Sequence, residues 1–134
     1  MSRYEDKPRI EVGAAVIYDD AGRVLCCRRG NGKNPATDGR WEFPGGKLEA
    51  GETARDAVVR ELREELGVEV ASGRRIAVVE HEYPTFFICL HAVECRILEG
   101  EPRICEHKEM RWVQPSELTL LDFCPADLPL LPLL

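Results

Sequence analysis

The sequence predicts an α/β (α+β) fold in one domain spanning residues 1–134, a sandwich of several strands around one good helix. Three observations carry this. Ala54, Ala57, Val58, Leu62 and Leu66 recur at three and four positions, the period of an amphipathic helix. Runs rich in β-branched and apolar residues, bounded by Gly, Pro, Asn and Asp, lie on both sides of it. The chain has 134 residues, 44% hydrophobic and 31% charged, enough for a real core and unlike a disordered composition.

Residues 10–18, IEVGAAVIY, read as a buried strand, DDAGR (19–23) as a turn, and VLCCRR (24–29) as the second strand of the same hairpin. GNGKNPATDG (30–39) is a loop long enough to suggest binding. RWEF (40–43) is a short strand and PGGKLEAGE (44–52) an irregular loop. The helix starts at Glu52 or Thr53, and Gly67 ends it as a C-cap. VEV (68–70), RRIAVVEHEY (74–83), FFICLHAVECRIL (86–98) and EMRWVQ (109–114) read as strands. Pro115 opens a short helix. The tail CPADLPLLPLL carries Pro125, Pro129 and Pro132, which argues against a long final helix.

Composition excludes several classes. A net charge of −6 speaks against a broad basic surface for duplex nucleic acid, while leaving room for a small phosphorylated ligand. No run reaches the roughly 18 apolar residues of a membrane span. The N-terminus places Glu5 and Asp6 where a leader would turn apolar, so a cytosolic, cytoplasmic location is expected. The six cysteines make no C-x-x-C pair and read as free thiols of a reducing compartment. His81, His91 and His107 show no zinc spacing with them and read as core or surface residues.

RELREEL, residues 60–66, crowds Glu61, Glu64 and Glu65 onto one helical arc of about 100° beside the apolar stripe. Each like-charge pair costs roughly 0.2–0.5 kcal/mol. One reading is a solvated face, laced by the i,i+4 pairs Asp56–Arg60 and Arg60–Glu64. The other is a hard divalent cation, Mg²⁺ or Mn²⁺, which takes carboxylate and carbonyl oxygens and offsets the repulsion.

Context favours the cation. From Gly46 the chain runs GKLEAGETARDAVVRELREELGV: Gly46, Glu52, Arg60-Glu61-Leu62, Glu64-Glu65 and Gly67-Val68 match the Nudix box position for position. The resemblance extends over nearly the whole chain and is strongest to the MutT-like branch, through WEFPGGKLEAGET. It implies a Nudix-type α/β/α sandwich with a mixed β-sheet and a loop-helix-loop catalytic motif. It further implies an enzyme that hydrolyses a nucleoside triphosphate to monophosphate and pyrophosphate with Mg²⁺ (or Mn²⁺).

By the same resemblance, Glu61 and Glu65 ligate the metal with the Gly45 carbonyl, and Glu64 shares the metals or positions water. Arg60 orients the glutamates, and Glu52 supports the helix start. Glu106, outside the box, is a further metal or catalytic candidate; Glu64 and Glu106 both stand as general base. Arg29 is the best match to a phosphate-binding arginine, with Arg28, Lys47 and Lys33 as other cations. Phe43 walls the base or packs the core. Asp127 falls where such enzymes read the base edge: ionised it offers acceptors only and favours N–H donors such as cytosine N4, and protonated it relaxes that choice. With HEYP at 81–84, this resembles the cytidine-triphosphate-cleaving relatives more than those for oxidised dGTP.

The resemblance fails at the tail, where relatives continue into a closing helix and this chain has prolines; its leucines read as an oligomer contact, and the state as monomer or homodimer. The alternatives are a hydrolase of ADP-ribose or another nucleoside diphosphate derivative, a nucleotide-sensing module without catalysis, and an interaction domain. The intact glutamates weigh against the last two.

Overall fold

The structure, a computed structural model, describes residues 7–134; Glu5 and Asp6 lie outside them. Seven strands and one α-helix follow in the order β1 (Arg9–Ile17), β2 (Val24–Arg28), β3 (Trp41–Glu42), β4 (Gly45–Lys47), α1 (Ala54–Leu66), β5 (Glu69–Glu82), β6 (Phe87–Glu99) and β7 (Glu109–Val113). Two 3₁₀ segments, Pro115–Leu120 and Leu128–Leu133, close the chain. The strands form a four-stranded sheet, β4-β1-β6-β5, and a three-stranded sheet, β3-β2-β7. β1 and β6 run parallel and their other neighbours antiparallel, so the larger sheet is mixed.

The expected β1–β2 hairpin is corrected. β4 and β6 take both edges of β1, so β2 has no free edge to pair with and crosses to the second sheet. The turn itself forms: Asp19 Oδ1 accepts from the Ala21 and Arg23 amides, and a single bridge joins Tyr18 to Val24. The two runs at 68–70 and 74–83 merge into one strand, β5, with register shifts at Ser72–Arg75 and Arg75–Ala77. Bulges of this kind absorb the extra residues without ending the pairing.

α1 keeps its predicted limits for local reasons. Thr53 Oγ1 accepts from the Asp56 amide at 3.1 Å and Asp56 returns the bond to the Thr53 amide, a capping box worth about 1 kcal/mol. Gly67 ends the helix at φ 71°. Ala57 is buried, and Val58, Leu62 and Leu66 are buried against Ala15, Ile17, Val93 and Cys95 of the sheet. At roughly 1.5–3 kcal/mol for each larger side chain, this face holds the helix in place.

The opposite face of the sheet packs Ala14, Val16, Leu90 and Ala92 against Val24, Trp41, Phe43, Phe123 and the tail. Here the tail leucines depart from expectation. Leu130 and Leu131 are buried in this core, while Leu128 and Leu133 are exposed. The prolines stop an α-helix, yet a 3₁₀ segment still buries two of the leucines. Five cysteines are buried free thiols and Cys105 is exposed. Among the described residues no helix is long and apolar enough to cross a membrane.

Candidate active site

A cavity of about 770 Å³ is lined by residues of β1, β3, β4, α1 and β6 and of the loops beside them. Gly45, Gly46, Glu61, Glu64, Glu65 and Glu106 line one part of it. Phe43, Tyr83, Phe86 and Asp127 line another, and Arg29, Lys33 and Lys47 also reach the wall. Thus most of the residues singled out in the sequence meet in one place. Arg28 does not line it: its Nε donates to the Gly39 carbonyl at 2.9 Å and its Nη1 lies 3.7 Å from Glu109. Arg60 and Glu52 stand behind the wall rather than in it.

The glycine pair is there because nothing larger fits. A Cβ at Gly45 would run into the Gly13 carbonyl, and one at Gly46 would sit 2.6 Å from Glu61 Oε1. β4 therefore lies close against both β1 and the carboxylates of α1.

Arg60 answers the crowding of glutamates. Its Nε and Nη2 grip Glu52 at 2.7 and 2.8 Å, Nη1 reaches Glu61 at 2.9 Å and Glu64 at 3.4 Å, and Nη2 also donates to the Lys47 carbonyl. The fork matches carboxylate geometry in a way lysine does not. Hydrogen bonds from Arg60, then from the Glu49 amide, hold the Glu52 carboxyl down to about 2. The expected Asp56–Arg60 pair gives way to the capping role of Asp56.

The sequence reading missed a second anchor, His107. Its side chain is 6% exposed and stands between two carboxylates: Nε2 is 2.9 Å from Glu42, and Nδ1 is 3.2 Å from Glu65 Oε1 without hydrogen-bond alignment. Burial lowers the His107 pKa, but Glu42 and Glu65 outweigh it and the net shift is upward. Glu42 in turn accepts from Arg29 Nη1 at 3.1 Å. Burial pulls the Arg29 pKa down, and Glu42 more than restores it. Glu42 sits inside WEFPGG, beside the residues the sequence argument used, but a lone strand glutamate carries no spacing signal. His107 lies next to Glu106 and was read as a core or surface residue.

Glu65 is pushed up to about 7, first by burial, with Glu42, Glu61 and Glu106 adding to it and His107 opposing. Its Oε2 is buried with no hydrogen-bond partner among the described residues. A carboxylate oxygen left in that state is costly unless something else satisfies it. Together with the all-oxygen donor set and the glycine cradle at Glu61, this fits a hard divalent cation. Glu64, 61% exposed, faces the open mouth.

At the other part of the cavity, Asp127 Oδ1 accepts from the Phe43 amide at 3.3 Å. Burial, then repulsion from Glu42, raises its carboxyl well above the ordinary 3.8, with the Phe43 amide and Arg29 opposing. The acid form then leaves an O–H donor on Oδ2, the case in which Asp127 relaxes base choice. Phe43 satisfies both readings: it is buried at 5.1 Å from the Phe123 ring and still lines the cavity. Tyr83, from HEYP, stacks 4.9 Å from Phe86, and its hydroxyl accepts from the Ala126 amide, tying the tail to this wall.

The NUDIX domain family matches residues 7–134. The CTP pyrophosphohydrolase of Escherichia coli K12 is 42% identical over 122 residues, covering 91% of this chain and 88% of that protein. The 8-oxo-dGTP diphosphatase of Haemophilus influenzae is 35% identical over 126 residues, with 94% and 91% covered. In three dimensions the chain is similar to the E. coli ORF135 protein, with a TM-score of 0.79, 36% identity, and 98% and 91% of the chains covered.

Proposed function

Since this chain belongs to the NUDIX family, we propose that it is a Mg²⁺- or Mn²⁺-dependent pyrophosphohydrolase of nucleoside triphosphates, cytidine-type or oxidised, releasing the monophosphate and pyrophosphate. One observation carries this: a single cavity joins an oxygen-rich part, with a buried unpartnered Glu65 oxygen, to an aromatic part around Asp127. The names of the relatives, a CTP pyrophosphohydrolase and an 8-oxo-dGTP diphosphatase, support the substrate class. We propose that the whole chain forms one such domain, acting in the cytoplasm as a monomer or homodimer.

Glu61, Glu64, Glu65 and the Gly45 carbonyl would hold the metal, with Glu106 completing the set. When bound, the ion supplies charge neutralisation and a water of lowered pKa. Arg60 fixes the Glu61 and Glu64 carboxylates, and Glu52 fixes Arg60. His107 faces Glu65 as an ion pair at 3.2 Å, without a hydrogen bond. Such pre-set groups cost no reorganisation as charge develops. Arg29, Lys47 and Lys33 offer cations to the phosphates. Glu64 or Glu106, both at the mouth, takes the proton of the attacking water. Tyr83, Phe86 and Phe43 wall the base, and Asp127 reads its edge.

The test is a substrate panel with Mg²⁺: normal NTPs and dNTPs, 8-oxo-dGTP, 5-substituted dCTPs and ADP-ribose, scored for pyrophosphate and phosphate separately. Pyrophosphate from one or two triphosphates is the expected result. Turnover of ADP-ribose alone, or tight binding with no turnover, overturns it.

A further inference from the structure

A second cluster of donor atoms lies outside the residues that line the cavity. β1 and β6 pair in parallel with Glu11 opposite Cys89 and Gly13 opposite His91. Strand alternation sends Glu11, Cys89 and His91 to the side of Ala15, Ile17, Val93 and Cys95, which pack under α1. Their neighbours Ile10, Val12, Ile88 and Leu90 line the cavity on the reverse side. The sheet therefore lies between the cluster and the Ile10, Val12, Ile88 and Leu90 wall of the cavity, while Glu61, packed over Gly46, stands on the cluster's own face.

One donor atom from each of the three residues lies within 4.8 Å of the others. Cys89 Sγ is 3.6 Å from His91 Nε2, and His91 Nε2 is 3.7 Å from Glu11 Oε1. A tetrahedral site with Zn–S of about 2.3 Å and Zn–N of about 2.0 Å has S···N edges of roughly 3.5 Å. The S···N edge is thus already that of a coordination shell, and the edges to Glu11, 3.7 Å from nitrogen and within 4.8 Å of sulfur, have to close on binding. His91 Nδ1 and Glu11 Oε2 are buried with no hydrogen-bond partner among the described residues. Arg9 Nε pairs with Glu11 Oε2 only at 3.8 Å, beyond hydrogen-bond reach, while its Nη2 is bound to Glu80 at 3.1 Å.

We propose that Glu11, Cys89 and His91 bind a zinc-class transition-metal ion through Oε1, Sγ and Nε2, with water as the fourth ligand. The thiolate and imidazole select Zn²⁺ or Co²⁺ over the hard Mg²⁺ of the oxygen-rich cavity. Burial, then Glu11, pushes the Cys89 thiol up to about 11, so the free site carries the thiol proton. That proton leaves to solvent as sulfur takes the metal. The bound ion straps β1 to β6, the parallel pair at the centre of the sheet.

The test uses protein carrying Glu61→Gln, to disable the oxygen-rich site, and Cys105→Ser, to remove the exposed thiol. The chelator-stripped protein is titrated with Co²⁺. One equivalent should bind, with a thiolate-to-cobalt charge-transfer band in the near ultraviolet and strong visible bands of four-coordinate cobalt. One equivalent of Zn²⁺ should displace it and raise the Tm. Adding Cys89→Ser should abolish the near-ultraviolet band, and adding His91→Ala should weaken Co²⁺ binding by at least about tenfold. Absence of a thiolate band, or a band that survives Cys89→Ser, overturns the proposal. Should Cys89→Ser or His91→Ala not fold by circular dichroism, Glu11→Gln decides. Co²⁺ binding weakened by about tenfold supports the site, and unchanged affinity overturns it.

Discussion

Gly46→Ala isolates the cradle from every other property of the site. Gly46 is not among the glycines with positive φ, so an alanine brings a contact and no backbone strain. Its Cβ would lie 2.6 Å from Glu61 Oε1 and closer still to its Cδ, where ordinary contact begins at 3.4 Å, so the carboxylate must retreat by about 1 Å. Glu61 is 22% exposed and can swing outward, which keeps the cost to stability near 1 kcal/mol. The swing also pulls Glu61 off Arg60 Nη1, now at 2.9 Å. Displacements near 1 Å at a reacting centre cost on the order of 10²-fold in rate, about 2.7 kcal/mol at 1.36 kcal/mol per decade. Steady-state pyrophosphate release should therefore show kcat/KM lower by about 10²-fold and a Mg²⁺ half-saturation shifted upward, with Tm nearly unchanged. Rates and Mg²⁺ dependence close to wild type would refute the claim that Glu61 must stay against Gly46.

Glu61→Gln keeps the volume and the Arg60 contact but removes a charge, so kcat should fall on the order of 10²–10³-fold while thermal melting stays in place. Leu130→Ala opens a cavity under the tail, where Leu130 is fully buried; urea unfolding should show a loss of about 2–5 kcal/mol, with KM rising as Asp127 loosens. Asp127 has a folded pKa raised above its ordinary 3.8, so its stabilisation is complete below that value and is lost as pH rises toward the folded pKa. Relative to Asp127→Asn, the wild type should lose up to about 1.4 kcal/mol per pH unit across that window, read by urea titration at several pH values. Because protonated Asp and Asn both present a donor and an acceptor, the order of preferred substrates for wild type and Asp127→Asn should converge as pH falls and diverge as pH rises.

α1 could be read from the sequence to within a residue or two because what defines it is local. The period of Val58, Leu62 and Leu66, the Thr53–Asp56 box and Gly67 all lie within one segment. The Nudix box was readable for the same reason, since Gly46 through Val68 fixes its own spacing. The hairpin error has the opposite cause. DDAGR does make its turn, but whether β1 keeps β2 beside it depends on β4 and β6, which no local pattern announces. His107 reaches Glu42 across 65 positions, and that pairing exists only once β3 and the loop before β7 are side by side. The tail combined a strong local signal, its prolines, with an invisible one, the core that receives Leu130 and Leu131.

The parallel β1–β6 ladder also bears on how the molecule assembles. Its partners, from Arg9↔Phe87 to Ile17↔Cys95, are 78 positions apart, and β4 and α1 lie wholly inside that span. Closing so distant a contact is slow, and α1, packed on Ala15 and Ile17 of β1 and on Val93 and Cys95 of β6, gains its full burial only when it closes. The expected outcome is that the oxygen-rich site completes late, after the folding transition state. Mg²⁺ should then leave the refolding rate almost unchanged and slow unfolding instead, making the cation a brake on the exit from the native state.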